Sequence, residues 1–188
     1  MRKLLCALGM MSALVIALAV HAAAPANFAG TWTLDKSKSQ GLNPRLQNAE
    51  SVSWVITQTD KEITIEEKVV AGNNVPTGNG VAAGGGPGGG QGGGRGMGGF
   101  GGPRTFNLDG SETSADTGRG KIARKATVSG DGKTLELTSK ATFQGQEGEI
   151  TSTTTEKLQL SGDGKTLTVT RHSESPRGPQ DSTLVFNK

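Results

Sequence analysis

The sequence is poor in the residues that most sites of chemistry are built from. It has one cysteine, two histidines and no tyrosine among 188 residues. A single Cys cannot form an internal disulfide, and without Cys and His partners no zinc finger can be assembled. Charge of one sign is also scarce: 20 Lys+Arg stand against 17 Asp+Glu, a formal +3. That excess is too small and too scattered for a dedicated polyphosphate binder. No nucleophile, metal set or cofactor loop stands out. The glycine-rich stretch lacks the Lys-Ser/Thr that a phosphate loop requires. The sequence therefore predicts no catalytic residues, no metal and no cofactor.

What is present begins with an address. Arg2 and Lys3 give a positive start, and Leu4 to Val20 is apolar apart from Gly9 and Ser12. Val20 and Ala22 place small residues three and one before a cut, so residues 1–22 read as a signal peptide cleaved after Ala22. The run is slightly short for a membrane span, and no stop-transfer charges follow it. Cleavage removes Cys6 and His21, leaving a mature chain without cysteine and with His172 as its one histidine. The expectation is a periplasmic or secreted protein that is not inserted in the membrane after cleavage. It must fold in an oxidising space on packing and hydrogen bonds alone.

Residues 23–188 read as one domain with an interruption. Between Gly78 and Pro103, 16 of 26 residues are glycine, which loses much backbone entropy on ordering and offers little to bury. Residues 78–103 are read as a disordered loop between two strands. Arginine-glycine segments can bind RNA, but Arg95, Phe100 and Arg104 are too few for that, and no nucleic-acid partner is expected.

Elsewhere the apolar period is two. Phe28, Trp32 and Leu34 share a face, as do Val52, Trp54 and Ile56, and Ile63 and Ile65. The pattern continues through Ile122 and Ala126, Leu135 and Leu137, Leu158 and Leu160, Leu167 and Val169, and Leu184 and Phe186. Only Leu42 to Ala49 suggests a short turn of helix. Ser129-Gly-Asp-Gly-Lys-Thr-Leu135 recurs as Ser161-Gly-Asp-Gly-Lys-Thr-Leu167, and Asp-Gly between alternating runs signals hairpins. The fold class is all-β: an antiparallel up-and-down meander of about eight to ten strands, as a barrel or a strongly bent open sheet.

Phe28-Ala-Gly-Thr-Trp32 opens the first strand, and the stretch to Ser39 resembles the start of many small exported bacterial proteins described as lipocalin-like. Gly-x-Trp on the first strand resembles the opening motif of lipocalins and calycins, and Thr183 to Lys188 resembles their last strand. The resemblance implies that Gly30 permits close approach at the closed end and that Trp32 plugs it beneath a late-strand arginine. Arg171 is the candidate for that arginine and Arg124 its rival. It also implies a small hydrophobic or amphipathic ligand inside, lined by Trp54, Ile63, Ile65, Leu135, Leu137, Leu167, Val169 and Arg171. A structural or interaction module of the cell envelope, with a filled core, is the alternative.

Other groups read as bland. Ser173 and Glu174 adjoin His172, but strand neighbours face opposite ways and form no triad. Glu66 with Glu67, or Glu147 with Glu149, could be proposed as a carboxylate pair, but nothing apolar surrounds Glu147 and Glu149 to raise one pKa. An inward Arg171, however, needs a buried carboxylate, water or an anionic ligand, and the sequence does not choose among them.

Overall fold

The computed structural model describes residues 25–72, 102–117, 120–145 and 148–188. Residues 1–22 and 78–101 lie outside the described residues, and so does Glu147. Ten strands and one short helix follow one another: β1 (Gly30–Leu34), α1 (Pro44–Asn48), β2 (Ala49–Gln58), β3 (Glu62–Ala71), β4 (Arg104–Asn107), β5 (Thr113–Asp116), β6 (Gly120–Val128), β7 (Thr134–Gly145), β8 (Gly148–Leu160), β9 (Thr166–Glu174) and β10 (Gln180–Asn187).

The strands form one sheet in the order β4-β3-β2-β1-β10-β9-β8-β7-β6-β5, with every pairing antiparallel. The first strand pairs with the last, Leu34 opposite Phe186, so the meander is wound round until its ends meet. The two edges, β4 and β5, approach one another, and β4 also lies against β6. The result is a nearly closed up-and-down barrel. Closure hides most of the unpaired backbone that a long open sheet would expose.

The repeated heptapeptide makes the same turn twice. Asp131 accepts from Ser129 Oγ and from the Lys133 backbone N–H, and Asp163 does the same with Ser161 and Lys165. Gly132 and Gly164 follow at φ +71° and +67°, where a side chain would be strained. The turns join β6 to β7 and β8 to β9. The helical turn expected over 42–49 is α1, capped by Asn43, which accepts from the Leu46 N–H at 3.0 Å, and opened by Pro44.

Two strands have no counterpart in the alternation read from sequence. β4 and β5 are four residues each, too short for a period to register. β4 follows the glycine run directly, so the expected loop ends where Arg104 and Phe106 turn inward, and Phe106 is fully buried.

The core runs through the barrel from Phe28 and Trp32 to Trp54, Ile63, Leu135, Leu158, Leu167 and Phe186 in one cluster. Trp32 and Trp54 are cross-strand partners, and Trp54 meets Phe186 at a ring separation of 4.7 Å. The Trp32 indole N–H donates to the Phe28 carbonyl at 2.8 Å, so its polar edge is satisfied inside the core.

The cation over Trp32 is Lys188, with Nζ 4.6 Å from the ring centroid, and neither Arg171 nor Arg124 takes that place. Register explains the difference. Thr33 pairs with Asn187, which brings Lys188 opposite Trp32, whereas Arg171 pairs with Ser182, six residues or about 20 Å along β10. Gly30, at φ +140°, leaves the gap through which the Lys188 stem passes: a Cβ there would sit 2.6 Å from Lys188 Cε. Gly30→Ala is expected to cost about 1–2 kcal/mol, mostly through the backbone conformation, because the lysine stem can shift. A urea unfolding midpoint unchanged by the substitution would contradict this.

Candidate functional site

The interior changes character partway along. Alternation puts Glu156 on the same face of β8 as Leu158, and its cross-strand partners are Leu137 and Arg171. Its side chain is 1% exposed. Arg104 Nη1 reaches Glu156 Oε2 at 2.5 Å, and Arg171 donates from Nε and Nη2 to Oε1 at 2.9 and 2.6 Å. Both carboxylate oxygens are thus met by charge-assisted hydrogen bonds, the condition under which a buried charge is tolerated. Burial by itself would push the Glu156 carboxyl up. The two guanidinium charges and their hydrogen bonds outweigh it and lower its pKa to about 2.

Both arginines also lie over one ring. Arg104 and Arg171 have their guanidinium carbons 5.3 and 5.8 Å from the Trp54 centroid, within cation–π range. The Trp54 indole N–H donates to Glu67 Oε2 at 3.2 Å. Glu67 Oε1 in turn lies 3.9 Å from Arg45 of α1. The helix is therefore tied, through Glu67 and Trp54, to the charged layer.

A further guanidinium, that of Arg124, alternates in step with Ile122 and Ala126 on β6. Its pKa is lowered by desolvation and by the nearby charge of Arg104. Its Nε is buried and has no hydrogen-bond partner among the described residues. Beyond this layer the same face of β6 to β8 carries Ser139, Ile122 and Ala141, all buried, with Thr154 and Ser152 of β8, then Ile150 and the exposed Phe143.

The eight residues expected to line a ligand divide sharply. Trp54, Ile63, Ile65, Leu135, Leu137, Leu167 and Val169 are 0–1% exposed and packed against one another in the core. Arg171 borders a cavity of about 90 Å³ between α1, β9 and β10, with Leu42, Leu46, Ser173, Ser182 and Leu184. A larger basin of about 580 Å³ is lined by Ser114, Lys121, Ala123, Lys140 and Thr142, and also by the exposed Phe143. The first five alternate with the buried Ile122 and Ala141, so the basin lies against the outer surface of the barrel. None of the seven core residues borders either space.

The sequence left Arg171 with three kinds of partner, and the structure gives it a buried carboxylate. The sequence does not point to Glu156 or Arg104 as its partners. Glu156 was legible in principle, since it keeps step with Leu158 and Leu160, but the Ser/Thr run before it reads as solvated strand. Arg104 is hidden by the glycine run that precedes it.

The remaining polar candidates are peripheral. His172 is exposed and bonds Asp181 at 2.6 Å across the β9–β10 ladder, with Glu174 at 3.5 Å. The hydrogen bond that its ring donates to the Asp181 carboxylate, reinforced by Glu174, raises its pKa. Ser173 turns to the other face and meets Thr154 at 3.1 Å, so these residues do not assemble a triad. Glu149 is exposed, and among the described residues no three His, Cys, Asp or Glu side chains are grouped to hold a metal ion.

No family model matches the chain, and no curated protein matches it either. Among solved structures, the chain is similar to zebrafish ileal bile acid-binding protein in complex with cholic acid. The TM-score is 0.43 and the identity 14%, over 86% of this chain and 98% of that one.

Proposed function

We propose that the protein is an exported, non-catalytic binding barrel for a small amphipathic molecule, held above its filled apolar core. The observation that supports this reading is the gradient along the inner face. Packed hydrocarbon below gives way to a charged layer on Trp54, and that layer to a mixed face on which Ser139, Thr154 and Ser152 accompany Ile122, Ala141 and Ile150. An amphipathic ligand has matching halves, and binding sites commonly set a few placed polar groups in an apolar wall. On this reading Trp54 and its neighbours are the floor beneath the ligand, and Arg171 and α1 stand beside it.

Trp54 is the reporter. Titration with fatty acids, retinoids and sterols is expected to give a saturable change in tryptophan emission, kept in Trp32→Phe and lost in Trp54→Phe. Silence across the panel from folded protein would remove the ligand reading. It would leave the envelope module with a solid core, which the near-zero exposure of the seven apolar candidates favours. Export rests on the Arg2–Ala22 pattern. Intact mass of protein recovered from a bacterial periplasm is expected to correspond to a start at Ala23, and an uncleaved mass would contradict it.

A further inference from the structure

We infer that the outer face of the barrel carries a second, separate site: the basin over β6 to β8 takes a neutral saccharide, stacked on Phe143. The inference goes beyond the binding reading above and does not depend on it.

Elsewhere on the outer face, charged side chains pair across the surface, Lys157 with Glu136 at 3.4 Å and Lys68 with Glu66 at 3.6 Å. The basin of about 580 Å³ is different. Lys121, Lys140, Glu112, Glu149 and Gln144 border it, and among the described residues none of the five has an ion pair or a side-chain hydrogen bond. Free donors and free acceptors therefore converge on one concavity. Strand register holds them there, with Lys140 opposite Ala123 and Gln144 opposite Glu149. Phe143 also borders the basin and pairs with Gly120, which has no side chain to cover the ring, so Phe143 is 40% exposed. An aromatic ring left in water beside unused hydrogen-bonding groups has the make-up of a ligand site.

Charge and backbone narrow the ligand. Two lysines stand against two glutamates, and the next outward groups, Asp116 opposite Lys121 and Lys125 further along β6, add one charge of each sign. A rim so balanced draws in no ion of either sign from a distance. The basin also lies on a face of the sheet where β6 and β7 are each paired on both sides, so it offers no free strand edge to an extended peptide. A pyranose fits what remains. The C–H bonds on one side of the sugar ring meet the negative face of the aromatic ring. Its hydroxyls each donate and accept, and so satisfy lysine, glutamate and amide alike.

The test titrates the full chain with cellohexaose, maltohexaose and chitohexaose at millimolar concentration, and with a neutral Gly-Ser hexapeptide as control. Backbone amide resonances of β6 and β7 and tryptophan emission are followed together. At least one of the three sugars is expected to shift Ala123, Thr142 and Phe143 saturably, with tryptophan emission unchanged, because both indoles are buried in the core. Phe143→Ala is expected to weaken binding about tenfold or more, while Phe143→Trp keeps it and adds an emission that responds. Lys140→Ala and Glu149→Ala should each weaken it about threefold, and raising the salt concentration should leave it unchanged.

No shift with any of the three sugars would overturn the inference, as would equal binding by the hexapeptide or undiminished binding by a folded Phe143→Ala. A sugar that changes tryptophan emission in the wild type would place the site inside the barrel instead. Each of these outcomes leaves the binding of hydrophobic ligands over Trp54 to be decided by its own titration.

Discussion

Replacing Trp32 with alanine is expected to destabilise the fold by about 3–5 kcal/mol, the range for a large aromatic truncated in a packed core. The ring is fully buried, its Cα partner across the ladder is Trp54, and its N–H satisfies the Phe28 carbonyl. Alanine removes the burial, opens a cavity between β1 and β2, and leaves that carbonyl without its donor. Three variants separate the parts. Trp32→Phe keeps most of the hydrocarbon and loses the hydrogen bond, worth about 1 kcal/mol. Lys188→Ala removes the cation over the ring, worth about 0.5–1 kcal/mol at an exposed site. Trp32→Ala should exceed the two together, as read from urea unfolding with an unchanged slope. A cost below about 1 kcal/mol would mean that the indole is not part of the core.

The ease with which Trp32 was found, and the difficulty with Glu156, have the same origin. Period-two alternation reports which face a residue is on, and one buried face per strand makes that signal strong for Trp32, Ile63 or Leu167. It does not report where along the barrel axis a residue meets its neighbours from other strands. That depends on register, which turn lengths and the stagger of closure decide. Alternation therefore puts Trp32 on the inner face but says nothing of the cation above it: Lys188 reaches it only because Thr33 pairs with Asn187. For the same reason the meeting of Arg104, Glu156 and Arg171 could not be assembled from three separate strands. The short strands β4 and β5 fall below the length at which alternation is distinguishable from chance.

The second large effect is expected at Glu156. Removing the carboxylate by Glu156→Ala leaves Arg104, at 8% side-chain exposure, beside Arg171 with no counter-charge, and should cost about 3–5 kcal/mol. Glu156→Gln retains the shape and one acceptor, so its cost should be smaller. If desolvation is what makes the single substitution expensive, replacing all three members together by Arg104→Met, Glu156→Leu and Arg171→Leu should recover most of the loss. A triple variant less stable than Glu156→Ala would instead mean that the ionic geometry itself organises the barrel. Acid titration checks the same group independently. The folded-state pKa of about 2 lies below the ordinary 4.5. Glu156 therefore contributes stability that is fully present above pH 4.5 and is lost as pH falls toward 2. Asp35, lowered to about 2 chiefly by its hydrogen bond from Ser37, loses its contribution over a similar range. The wild type should thus lose stability more steeply than Glu156→Gln through that window, and the difference between the two curves is the share of the buried carboxylate. Parallel curves would show that the Glu156 carboxyl gains nothing from its arginines, and with it the charged layer would lose its anchor.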